Sequence, residues 1–160
     1  MSITSVYRDV EARTMTITAD FDVSVERVWR LWADPRQLER WWGPPPHPAT
    51  VVVHDLTPGG NVSFFVTGPE GARRTGWWRV LDVDAPGRLE FDLGDPDIPT
   101  VRVDVSIDDR ASGGTRMTIA MTFPSGEAMD QMMSIGFEEG MSNAVRQIDD
   151  VLRADVTRPE

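Results

Sequence analysis

The sequence predicts an α+β domain: a curved antiparallel sheet of about seven strands wrapped around a long C-terminal helix, with two short helices after the first strand. Two observations carry this. From Ala49 to Phe123, turn-forming residues recur about every ten positions between β-rich runs, the punctuation of an antiparallel meander. Beyond them, residues 125–152 keep a helical period, with Met133, Phe137, Met141, Ala144, Ile148 and Leu152 at three- and four-residue intervals. Asp130, Glu138, Glu139, Arg146, Asp149, Asp150 and Arg153 fall mostly between them, so one helix face is apolar and needs a sheet to cover it.

Residues 1–12 show no pattern and are expected to be a frayed or edge segment. The first firm strand is 13–21, where Met15, Ile17, Ala19 and Phe21 alternate with Thr14, Thr16, Thr18 and Asp20. Ser24 then caps a short helix carrying Val25, Val28, Trp29 and Trp32 on one side. Asp34-Pro35 ends it and opens a second, with Leu38, Trp41 and Trp42, which Gly43 and three prolines stop. The further strands are expected at 49–55, 61–67, 74–84, 88–93, 100–108 and 115–123, joined by Pro58-Gly59-Gly60, Gly68-Pro69-Glu70-Gly71, Ala85-Pro86-Gly87, Gly94-Asp95-Pro96 and Ser112-Gly113-Gly114. Ser125 caps the long helix, and Glu127 and Asp130 suit the positive end of its dipole. At about 1.5 Å per residue it would span roughly 40 Å. The order leaves one domain over residues 1–160, with loose ends at 1–12 and 154–160.

Composition excludes several functions. There is no cysteine, hence no disulfide, thiolate metal site or cysteine nucleophile. Acidic residues outnumber basic ones 26 to 16, and the formal charge of −10 repels nucleic-acid phosphates and anionic membranes. No apolar run approaches the roughly 18 residues of a membrane span, and a soluble, cytoplasmic protein is expected.

Several motifs, in order, carry a resemblance. They begin with Phe21-x-x-Ser24-x-Glu26-x-Val28-Trp29, Asp34-Pro35-x-x-Leu38-x-x-Trp41-Trp42-Gly43-Pro44 and Asp55-Leu56-x-Pro58-Gly59-Gly60. Gly76-Trp77-Trp78-Arg79-Val80, Pro86-x-Arg88-Leu89-x-Phe91, Gly113-Gly114-Thr115-Arg116-Met117 and Gly136-Phe137-Glu138-Glu139-Gly140-Met141 continue them. Over residues 13–152 the chain resembles the SRPBCC (START-like, helix-grip) superfamily, in the branch named after the activator of heat-shock-protein-90 ATPase. The resemblance implies a cavity under the C-terminal helix that often takes an apolar or aromatic small molecule, and it implies no shared catalytic set. The namesakes' additional N-terminal domain is not expected here, since 160 residues leave no room for one.

The residues themselves supply a candidate lining for such a cavity. Gly136 and Gly140 share a helix face, and each costs about 1 kcal/mol relative to alanine in a helix interior. Either the helix approaches the sheet closely there, or the missing side chains leave room for a guest. Met129, Met132, Met133, Phe137 and Met141 surround the pair, and methionine is a polarizable, adaptable wall. Trp29, Trp32 and Trp41 add aromatic walls. Of Trp77 and Trp78 only one can face inward, and Trp77 is assigned to the lining.

Polarity inside would come from Arg74, Arg79, Arg102, Glu90 or Asp104, according to register. A carboxylate pair for acid–base work would come from Glu90 and Asp92, or from Asp104 and a neighbour. His47 and His54 lack a converging third ligand, so no metal is expected, and no catalytic or cofactor motif is present. The first function expected is therefore a non-catalytic protein enclosing an apolar or aromatic small molecule. A cyclase- or aromatase-type enzyme using the same cavity, and a co-chaperone-like module that binds a protein partner, are the alternatives.

Overall fold

Alternation in the sequence becomes alternation in space, most plainly in the first firm strand, where Met15, Ile17, Ala19 and Phe21 are all buried and the residues between them are not. The computed structural model describes residues 3–42, 49–68, 71–95 and 98–157. Within them lie strands β1 (Ile3–Asp9), β2 (Thr14–Phe21), β3 (Ala49–His54), β4 (Asn61–Thr67), β5 (Arg73–Asp84), β6 (Arg88–Asp95), β7 (Ile98–Asp109) and β8 (Thr115–Thr122). The helices are α1 (Val25–Ala33), α2 (Pro35–Trp41), α3 (Gly126–Ser134) and α4 (Phe137–Thr157). The strands form one antiparallel sheet in the order β1-β2-β8-β7-β6-β5-β4-β3. After β2 the chain crosses by α1 and α2 to the far edge, then meanders back until β8 pairs with β2. This is the expected α+β arrangement of antiparallel sheet and C-terminal helix.

Capping residues fall where their chemistry places them. Ser24 accepts from Arg27 N at 3.2 Å, Asp34 from Arg36 N at 2.9 Å with Pro35 in the first turn, and Ser125 from Ala128 N at 3.0 Å. Side chains also tie helix ends to the sheet and to one another. His54 Nε2 sits 3.0 Å from the Trp32 carbonyl, Gln147 Nε2 donates to the Trp41 carbonyl at 3.1 Å, and the edge-strand amide of Val51 donates to Glu39 Oε2 at 2.7 Å.

Three expectations are corrected. The sheet has eight strands, because of the two readings of the first residues, frayed or edge, Ile3–Asp9 is the edge strand and no loose end; most of its residues are exposed, which erases the one-face pattern. At the other terminus helix continues to Thr157. The single helix of residues 125–152 is two: Gly136 has φ +86°, in the left-handed region that glycine adopts without a Cβ clash, and its N–H bonds the Met133 carbonyl at 3.1 Å.

Candidate functional site

The helix-covered face of the sheet divides into an aromatic part and a methionine-rich part. Trp32 on α1, Trp41 on α2, Trp42 just beyond it, Phe64 on β4, Trp78 on β5 and Phe91 on β6 form one continuous aromatic cluster. Trp78 stacks on Phe91 with centroids 4.1 Å apart and planes 17° apart, while Trp42 stands edge-on to Trp78 at 5.0 Å and Trp32 edge-on to Trp41 at 4.8 Å. Trp32 and Trp41 retain no accessible surface and their indole N–H groups are used, on Met117 Sδ at 3.4 Å and on the Leu31 carbonyl at 2.9 Å. These two sequence-predicted lining residues therefore build the core. Trp42 and Phe64, which sequence reasoning left out of the lining, keep 6% and 8% of their surface accessible.

Trp78 has a feature its neighbours lack. It is wholly buried, yet its Nε1 has no hydrogen-bond acceptor among the described residues. A buried donor left unpaired costs about 1–3 kcal/mol. Surrounding rings offer at most a weaker π acceptor.

The methionine-rich part comes from α3 and the start of α4. Met132 is sealed, Met129 and Met141 are nearly so, and Met133, Phe137 and Trp29 are partly buried against the core. Phe137 meets Phe123 edge-on at 5.8 Å. The glycines do not mark close approach: a Cβ on either Gly136 or Gly140 would meet no described atom within 4 Å. Gly136 serves the turn between α3 and α4, which removes the helix-interior penalty inferred for it.

Trp77 requires the opposite correction. Register pairs it with Gly94 and Ser63, and it lies on the outer face, 40% exposed, its indole spread over Gly94 where any Cβ would collide with the ring. Arg79, Glu90, Arg102 and Asp104 share that outer face, on the opposite side of their strands from Trp78, Phe91, Val103 and Val105. They cannot provide polarity to the covered side. Glu90 and Asp104 are cross-strand partners, and hydrogen bonding to Asp104, then desolvation and the Asp104 charge, hold the Glu90 carboxyl above its ordinary range. Asp20, also outward, is held low by its bidentate bond to Arg116 at 2.8 and 3.0 Å, with Arg110 close by at 3.4 Å. The carboxylate pair exists, on the wrong face for work under the helices.

The outer face also carries a half-open pocket of about 380 Å³, lined by Val53, Asn61, Ser63, Trp77 and Arg79. Among the described residues no group of three metal-ligating side chains comes together, and His47 lies outside them. No helix among them is long and apolar enough to cross a membrane.

One antiparallel sheet, covered on one face by four helices and closed by the terminal one, is the setting in which sequence comparison becomes informative. The model of activator of Hsp90 ATPase homolog 1-like proteins matches residues 22–153. The chain belongs to this family. The crystal structure of protein Ms6760 from Mycobacterium smegmatis superposes with TM-score 0.85 at 44% identity, covering 94% of this chain and 96% of that one. A solution structure of a protein from Arthrobacter aurescens gives 0.90 at 44% identity, covering 96% and 93%. A Rhodobacter sphaeroides protein gives 0.85 at 25% identity, covering 94% and 98%. No curated protein matches significantly. For an Hsp90-activator-like domain the family motif Gly76-Trp77-Trp78-Arg79 now has a spatial meaning, since it sends one tryptophan to each face of the sheet.

Proposed function

We propose that the chain is a cytoplasmic binding protein that holds an apolar or aromatic small molecule between the helix-covered sheet face and helices α3 and α4, without transforming it. The observation that carries this reading is the buried, unpaired indole N–H of Trp78. A guest bearing a carbonyl or ether oxygen would satisfy that donor, and the guest's apolar body suits the rings and thioethers around it. Trp32, Trp42 and Phe91 ring that indole and Leu93 pairs with it across the sheet, while Trp42, Phe64, Leu93, Met129 and Met141 each keep a few per cent of their surface accessible. Met133, Phe137 and Trp29 are partly buried against the same core, in which Trp32, Trp41 and Met132 are sealed, and a Cβ on Gly140 would meet no described atom within 4 Å.

Native mass spectrometry of the protein purified from its own host is the first test, with a co-purifying mass lost on denaturation as the expected result. Thermal-shift measurements then compare aromatic ketones with their parent hydrocarbons. The ketones are expected to stabilise wild type more, and Trp78→Phe, which keeps a ring but removes the N–H, to narrow that difference. No bound mass together with no stabilisation by any hydrophobe overturns the reading. A cyclase-type reaction ranks second, because it needs an inward acid or base and the carboxyls with shifted pKa face outward.

A further inference from the structure

The pocket on the outer face has a chemistry distinct from that of the covered face. Strand pairing puts Trp77 opposite Ser63 and Arg79 opposite Asn61, and the two-residue period points Trp77 and Arg79 to the same side. Directly paired residues sit about 5 Å apart and successive same-face residues about 7 Å apart, so the four side chains bound one small patch. Val53 closes it from the edge strand, where a register shift between Val51 and Val53 leaves both Val52 and Val53 exposed.

Two features of this patch are not accounted for by folding. A tryptophan is kept 40% exposed, with one face of its ring resting on Gly94 and the remainder open to the pocket. Arg79 forms no ion pair or hydrogen bond with another described residue. Its closest acidic neighbour across the sheet, Asp92, is already engaged by Arg102 at 2.6 Å. In a chain of net charge −10, an unpaired guanidinium beside an open indole is a local site for an anion with a flat apolar body.

We propose that this pocket binds a small aromatic carboxylate, with its ring against Trp77 and Val53, its carboxylate on Arg79, and Asn61 and Ser63 completing the polar side. A volume of about 380 Å³ accommodates a mono- or bicyclic acid. The guanidinium presents parallel N–H donors that match both carboxylate oxygens, and an uncharged amide of the same shape forfeits that charge-assisted pair. The site stands independently of the covered-face reading, since the indoles of Trp77 and Trp78 lie on opposite sides of the sheet.

The test is a ¹H–¹⁵N NMR titration with benzoate and, separately, its neutral isostere benzamide, following the six indole signals and the arginine Nε–H signals. Trp77→Phe and Arg79→Gln assign the two relevant peaks, and both positions are exposed enough to be changed without unfolding the chain, which a melting curve verifies. Saturable shifts of the Trp77 and Arg79 signals are expected in the millimolar range, with benzamide roughly tenfold weaker. Arg79→Gln should erase the preference for benzoate over benzamide, and Trp77→Ala should weaken both. Equal binding of the two probes, benzoate binding undiminished in Arg79→Gln, the absence of saturable shifts, or shifts confined to covered-face indoles each overturns the proposal. The last of these outcomes would support the covered-face reading.

Discussion

Trp77 and Trp78 are neighbours in the chain with the same side chain and opposite fates. Trp78 is sealed between Phe91, Trp42 and Trp32, whereas Trp77 lies open across Gly94. The difference shows what the two faces of this sheet are for. On the covered face, stability comes from ring packing; on the outer face it comes from cross-strand pairs of charge and shape that can rearrange.

That contrast is broken most easily by truncation. Trp78→Ala should cost about 3–5 kcal/mol, the range for deleting a buried large aromatic, and Trp77→Ala about 1 kcal/mol, both read by urea denaturation. Equal losses would remove the distinction. A finer probe adds one methyl group to each face. On Gly76, a Cβ would lie 2.5 Å from the Phe64 ring, which is packed against Trp42, so Gly76→Ala should cost about 1–3 kcal/mol. The methyl of Gly94→Ala meets first the exposed Trp77 indole, which can swing into solvent, and the expected cost is below about 1 kcal/mol.

Which tryptophan turns inward is legible in the parity of the whole strand. Thr75, Trp77 and Arg79 alternate with Gly76, Trp78 and Val80, and the first set is polar apart from its tryptophan. β2, β8, the two short helices and their caps follow directly from periods and capping residues, because β2, β8 and α1 each bury one clean face. β1 was not legible because its residues face water on both sides. The break between α3 and α4 was hidden for another reason: Met133, Phe137 and Met141 keep their four-residue spacing straight through it. Ser134-Ile135-Gly136 is the available signal, a glycine in the position just past a helix C-cap.

The same break offers a test on the covered side that leaves packing untouched. Gly136→Ala adds a methyl that touches nothing described, so its cost is the left-handed backbone alone, about 1–2 kcal/mol. Because Met133 and Phe137 flank the turn, the substitution should also change ligand-induced stabilisation at the covered face, while leaving benzoate shifts at Trp77 as they were. Loss of both responses would mean that the two faces are coupled through the sheet.

The smallest effects should appear in the pH dependence, and they separate the faces by shape more than by size. Asp20 has a lowered carboxyl, so its contribution is present above its ordinary value of 3.8 and is lost as pH falls through the folded-state value. Asp20→Asn should therefore destabilise by about 1 kcal/mol at neutral pH and by progressively less in acid. Glu90 has the reverse sign. Held above 4.5 chiefly by its hydrogen bond to Asp104, it contributes fully below 4.5 and loses that contribution as pH rises through the folded-state value. Asp104→Asn should relieve the penalty above that window, by less than about 0.5 kcal/mol because the pair is partly exposed and screened. Trp78→Ala, on the face without such carboxyls, should lower the stability curve at every pH without altering its form. If Trp78→Ala reshapes that curve, or Asp20→Asn merely displaces it, the division into a packed face and a titrating face is wrong.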